Sequence, residues 1–165
     1  MSEGETEWEM QVHAVLKYLC EATGVSLPET VGIHIGVFQE PYLGYIYDGR
    51  KMLESRFTRN RIAPYGCISS GDVVLIKRAA GAVEAAFAVG EVRQYNLQQT
   101  PIAALRAAYG EALCVDEVFW QKKEKSRYAV LLEIQGLLRF SPFPVEKRGR
   151  SAWITLRRAA QVSMP

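Results

Sequence analysis

The residues best placed to do chemistry in this chain lie in the stretch Gly49-Arg50-Lys51-Met52-Leu53-Glu54-Ser55-Arg56. After a glycine come an ammonium, a carboxylate and a guanidinium, directly ahead of the aromatic Phe57. Such a trio can hold an anion, and a buried lysine beside a carboxylate can also take part in proton transfer. A plain surface turn needs none of it. Asp48-Gly49 reads as the stop of a short helix, and a lysine just past a helix end meets outward-facing carbonyl groups, so capping also accounts for Lys51. Glu54 and Arg56 share one face of a strand, whereas Lys51 joins them only if the chain turns at Gly49 and Arg50. Arg56 can then fork onto a phosphate or onto Glu54 itself. A structural ion-pair cluster and a ligand site both stay open at this level. The ligand site is favoured, because charged groups are costly to desolvate without use.

Other basic residues can extend such a site. Lys77 and Arg78 end an apolar run and can form a positive rim, and Lys147, Arg148 and Arg150 form a basic loop just before Trp153. Cations beside an aromatic suit a nucleic acid; the alternative is that Trp153 packs in the core and the three charges are solvated. His34 alternates with apolar residues and is read as structural. With His13 and His34 the only histidines, and Cys20, Cys67 and Cys114 forming no C-x-x-C pair, no metal site and no cofactor are expected. Three cysteines cannot all pair within the chain, so reduced thiols and a cytoplasmic location are expected.

The elements that must position these groups follow from periodicity and turn signals. With 165 residues, 48% hydrophobic, the chain is sized for one domain with a substantial core. It has no apolar run long enough to span a bilayer, and an acidic start without a basic leader. The net charge of +2 conceals a gradient: residues 1–40 carry −6, residues 41–120 carry +1 and residues 121–165 carry +7. A basic C-terminal third can follow a phosphate backbone or serve as ordinary solvated surface.

Trp8 to Ala22 has helical spacing, with Gly24 as its stop. Val31 to Phe38 alternates as a strand, and Pro41 opens a helix through Ile46 that ends at Asp48-Gly49. Arg59 to Ser70 reads as turn-rich, followed by a strand Val73 to Lys77 and a hairpin to a second strand, Ala85 to Val92. Thr100 is placed to cap a helix from Pro101 that Gly110 closes. Tyr128 to Ile134 is a further strand, Ser141 to Pro144 a loop, and Ala152 to Leu156 a last strand. Strands outnumber helices, which argues for a barrel or compact sheet edged by helices.

The spacing Gly-x-Lys-x-x-Glu-x-Arg over Gly49 to Arg56 resembles the signature of the ASCH family, which is related to the PUA domains that bind RNA. The resemblance extends to the aromatic helix before the motif, to Gly71-Asp72-Val73-Val74, to Phe87-x-Val89-x-x-Val92, and to Phe119-Trp120, Tyr128 and the Pro142 to Lys147 loop. It covers about residues 31–157, leaving an N-terminal helical extension over 1–30 and a tail over 158–165. It implies an α+β fold, a PUA-like small mixed β-barrel with two to four peripheral helices.

The same resemblance implies an RNA or nucleotide ligand, held around Gly49, Lys51, Glu54 and Arg56. It also admits an enzyme, since some small ASCH proteins are amidohydrolases of acetylated cytidine and others have been proposed as ribonucleases. In the amidohydrolases the lysine activates a threonine three residues on; position 54 here is Glu, so that nucleophile is missing. Catalysis would then rest on Lys51, with Glu54 as general base on water. A third reading is a protein-interaction domain, in which the acidic N-terminal helix covers the basic cleft or forms a dimer face.

Overall fold

A computed structural model of the chain describes residues 6–146 and 149–160. The described chain runs α1 (Glu7–Thr23), β1 (Ile33–Phe38), α2 (Tyr42–Tyr47), β2 (Leu53–Thr58), β3 (Val73–Arg78), β4 (Val83–Asn96), α3 (Ile102–Leu113), α4 (Glu117–Lys123), β5 (Tyr128–Phe143) and β6 (Trp153–Arg157). The strands form one mixed sheet in the order β2-β5-β4-β3-β1-β6, in which only β1 and β3 are parallel. The sheet curls into a half-barrel with four helices around it, which is the α+β, PUA-like architecture expected from the sequence. Its curl follows from β4 and β5, which are 14 and 16 residues long and pair through three register shifts. Each extra residue bends and twists the ladder locally.

Period-two alternation divides the strands between two faces. Val74, Ile76, Ala85, Phe87, Val89, Val130 and Leu132 point into the barrel, where Leu43 and Ile46 of α2 join them. Ile33, Ile35 and Leu75 point outward and are covered by Val15 and Leu19 of α1. Leu131, also outward, packs with Leu53 under Leu113 and Trp120 of α3 and α4. Burying each Val, Leu, Ile or Phe among these side chains stabilises the fold by about 1.5–3 kcal/mol.

Several local signals act as expected. Thr6 and Glu9 close a capping box at the start of α1, and Gly24 ends it in the left-handed region at φ +73°. Other expectations are corrected. Thr100 does not cap α3; Pro101 occupies the N-cap position with no side-chain bond. Gly110 does not end that helix either, because burial of Leu113 carries it one turn further, to Cys114 at φ +57°. The loop expected at Ser141 to Pro144 is largely strand: β5 continues to Phe143, whose burial against Tyr18 and Phe140 holds the segment extended. The strand expected at Ala85 to Val92 likewise runs on to Asn96, paired with β5 throughout.

Candidate functional site

β2 and β6 are the two ends of the strand order, so a seam separates them where the barrel does not close. Arg56 on β2 crosses that seam. Its Nη2 donates to the Val37 carbonyl of β1 at 3.0 Å, and its Nη1 donates to the Ala152 carbonyl, just before β6, at 3.3 Å. The guanidinium carbon lies 4.9 Å from the centre of the Phe38 ring and 5.1 Å from that of Trp153, so the cation is held against two aromatic faces. Nε approaches Glu54 Oε1 at 3.3 Å, an ion pair not aligned as a hydrogen bond, which leaves Nε without an acceptor. Burial lowers the Arg56 pKa and Glu54 opposes the shift; a guanidinium nevertheless remains charged.

Gly36 makes this packing possible. A Cβ there would lie 2.7 Å from the Phe38 ring and 2.9 Å from that of Trp153, so only glycine lets the two aromatics close beneath Arg56. Trp153 is in turn fixed from behind. Its Nε1–H donates to His34 Nδ1 at 3.2 Å, which assigns His34 the tautomer whose Nε2–H donates to Asp72 Oδ2 at 2.8 Å. Asp72 also accepts the backbone N–H groups of Gly32 and Ser69. His34, fully buried, is thus part of the scaffold.

Lys51 reaches the site by the turn that Gly49, at φ +81°, permits. Its ammonium does not cap the helix it follows in sequence. Nζ donates instead to the carbonyl of Leu113 at 2.7 Å, the last residue of α3, where outward carbonyls favour a cation. Lys51 is 4% exposed, with Nζ 5.5 Å from the centre of the Tyr42 ring. Burial lowers its pKa, and Glu54 partly restores it. The carboxylate is therefore electrostatically coupled to both cations.

A third cation, not among the site residues expected from the sequence, is present. Asp116 caps α4 through the N–H of Phe119, and the helix delivers Lys123 to the same cavity, with Nζ 5.4 Å from the Phe119 ring centre. Burial lowers the Lys123 pKa first and the Arg56 charge lowers it further. An aspartate N-cap, an acidic first turn and two lysines in the last turn were the local signals for this helix.

Lys51, Glu54, Arg56 and Lys123 converge on a cavity of about 240 Å³ whose walls include Tyr42, Phe119 and Trp153 together with Ile62, Ala63 and Pro64. Trp153 thus serves both core and cavity wall. Gly49 contributes a turn rather than a contact. Lys77 and Arg78 lie elsewhere: Lys77 Nζ contacts the Arg78 carbonyl, and Arg78 pairs with Glu84 at 2.6 Å and Glu40 at 3.1 Å. Arg150 is exposed and absent from the lining, and Lys147 and Arg148 lie outside the described residues. α1 supplies no lining residue. Among the described residues no group of histidines, cysteines and carboxylates is placed to hold a metal, the three cysteines are unpaired, and no helix is long and apolar enough to cross a membrane.

No family model and no curated protein matches the sequence. Solved structures do match the fold: the crystal structure of ASCH from Zymomonas mobilis superposes with a TM-score of 0.57 at 14% identity, covering 76% of this chain and 87% of that one. The fold is that of an ASCH protein. Two variants of the same protein agree. One with a serine-to-alanine change covers 79% of this chain and 92% of its own, and one with a tyrosine-to-phenylalanine change covers 76% and 90%, each with a TM-score of 0.59 at 14% identity. In this ASCH fold the motif strand β2 is the seam edge, and that is why its inward-facing charges meet a cavity rather than a packed core.

Proposed function

We propose that this chain is a nucleotide- or RNA-binding ASCH protein whose ligand enters the cavity at the barrel seam. The observation that carries the reading is a charge imbalance: three cations and one carboxylate converge on a cavity of about 240 Å³ walled by aromatic rings. Burial penalises all three cations, so an entering phosphate relieves an existing cost as well as forming charge-assisted bonds. Tyr42, Phe119 and Trp153 offer faces for a base, and Glu54 can accept hydrogen bonds from a base edge.

Isothermal titration with uridine 5′-monophosphate and with uridine tests this directly. The monophosphate binds more tightly than the nucleoside, its affinity falls with salt, and Lys123→Ala weakens it by roughly 10- to 100-fold, the loss of one charged hydrogen bond. Equal affinity for the two compounds, insensitive to salt, defeats the proposal.

A second reading, hydrolysis of an acylated nucleoside or of RNA, is favoured by one observation: Lys51, with its lowered pKa, shares the cavity with Glu54. Glu54 would accept a proton from water while the Lys51 ammonium faces the developing oxyanion. It fails if Glu54→Gln and Lys51→Ala leave hydrolysis unchanged.

A further inference from the structure

Beside the cavity lies a second constellation, Arg59, Arg61, Tyr65, Arg127 and Tyr128, none of which lines it. Thr58 lines the cavity, pairs across the ladder with Tyr128, and accepts the Arg127 N–H at 2.9 Å. The chain then leaves β2 through residues 59–66. Ile62, Ala63 and Pro64 of this segment line the cavity, while Arg61 sits 5.5 Å from the Tyr65 ring centre and 5.4 Å from that of Tyr128. The two rings are 5.0 Å apart. One guanidinium and two half-buried phenols, their rings edge to face at 61°, therefore stand beside the residues that line the cavity.

Arg59, Arg61, Arg127 and Arg158 are all exposed, and Arg158 reaches the Gly66 carbonyl. None of the four pairs with a carboxylate among the described residues, nor do the exposed Arg139 and Arg150, whereas Arg50, Arg78, Arg93 and Arg106 elsewhere on the surface each pair with an Asp or Glu. Exposed arginines without a carboxylate partner, one of them against two aromatic rings, match a strand that carries a phosphate per unit and a base per unit.

Resting on the nucleotide reading of the cavity, we infer that this constellation extends the site into a track for single-stranded RNA. One nucleotide occupies the cavity. Its neighbour stacks on the Tyr128 ring, with the connecting phosphates on Arg59, Arg61 and Arg127.

The test compares two probes on the full chain, fluorescein-labelled octauridylate by fluorescence anisotropy and uridine 5′-monophosphate by titration. Combined charge reversal, Arg59→Glu, Arg61→Glu and Arg127→Glu, is expected to weaken octamer binding by at least about tenfold. It should flatten the slope of log affinity against log salt by about 2, from three phosphates at about 0.7 each. Affinity for the monophosphate stays within about twofold, since it lacks the neighbouring unit. Tyr128→Phe keeps octamer affinity and Tyr128→Ala loses it, because stacking needs the ring and not the hydroxyl. Should the triple variant melt early, Arg59→Ala and Arg127→Ala, both at exposed positions, are each expected to remove about 0.7 of slope. Unchanged octamer affinity and slope in these variants, with Lys123→Ala still weakening both probes, overturns the track and leaves the cavity reading standing. An equal loss for both probes also overturns it, since the arginines would then belong to the mononucleotide site. Wild-type protein that binds neither probe overturns the track and the cavity reading together.

Discussion

Arg56 combines a hydrogen-bonded bridge, an ion pair and two aromatic contacts in one side chain, and a lysine cannot reproduce that geometry. Arg56→Lys is expected to lower stability by about 2–3 kcal/mol, since one of two carbonyl bonds and the planar stacking are lost. Chemical denaturation measures it; a loss under about 0.5 kcal/mol would mean that the seam holds without its bridge. Tyr47 poses the opposite case, because its buried hydroxyl has no partner. Burial, then the nearby Glu84, push its pKa up to about 12. Tyr47→Phe should therefore be neutral or mildly stabilising at pH 7, as removing an unsatisfied group usually is. Above pH 10 the sign is fixed by linkage. The folded-state pKa exceeds the unfolded value of 10.0, so this contribution to stability is intact below pH 10 and lost as pH rises towards 12. A urea titration across that range should show a shallower decline for Tyr47→Phe than for the wild type.

The elements matter because each brings one charge to the cavity by a separate local device. The Asp116 side chain caps α4, so Asp116→Ala is expected to cost about 1 kcal/mol. It should also weaken uridine 5′-monophosphate binding by loosening Lys123, and a titration in which affinity is unaffected would show that Lys123 is held by packing alone. Lys51 joins β2 to the end of α3, and its pKa lies below the ordinary 10.5 through burial. Between the folded and unfolded values the unfolded chain binds the extra proton. The contribution is therefore present above the unfolded value and lost as pH falls through the folded one. Lys51→Met should remove that rise in stability with pH, which denaturation at pH values approaching 10.5 can detect. Trp153 and Gly36 set the floor together, so the larger Cβ of Gly36→Ala should displace the Trp153 ring and quench or shift its fluorescence.

For the whole molecule, the sheet separates two tasks. α1 covers the outer face with Val15 and Leu19, and the cavity opens at the seam with no α1 residue in its lining. Leu19→Ala is therefore expected to cost about 2–5 kcal/mol of stability while leaving monophosphate affinity within error. Coupled losses in both would place α1 in the binding mechanism. The charge gradient along the sequence also has a different spatial meaning from its linear one. The unpaired arginines by the cavity come from residues 59–61, 127 and 158, parts of the chain that β2, β5 and the segment after β6 bring together.

Much of the fold was legible locally. The alternation of Ile33, Ile35 and Val37, the apolar run after Gly71-Asp72 and the Gly24 stop each specify backbone through side-chain burial or a left-handed turn, which are short-range requirements. So was the shared strand face of Glu54 and Arg56. Sequence did not reveal where those charges would go. Lys51 answers to the end of α3, 62 residues away, and Arg56 to Ala152, 96 residues away, because curvature from the β4–β5 register shifts decides which edges meet. Lys123 joins them for the same reason. The sequence by itself determined the motif, its glycine turn and the strand that carries it. Only the tertiary structure decided that these charges face an open seam, since burial and charge balance depend on neighbours that local spacing does not specify.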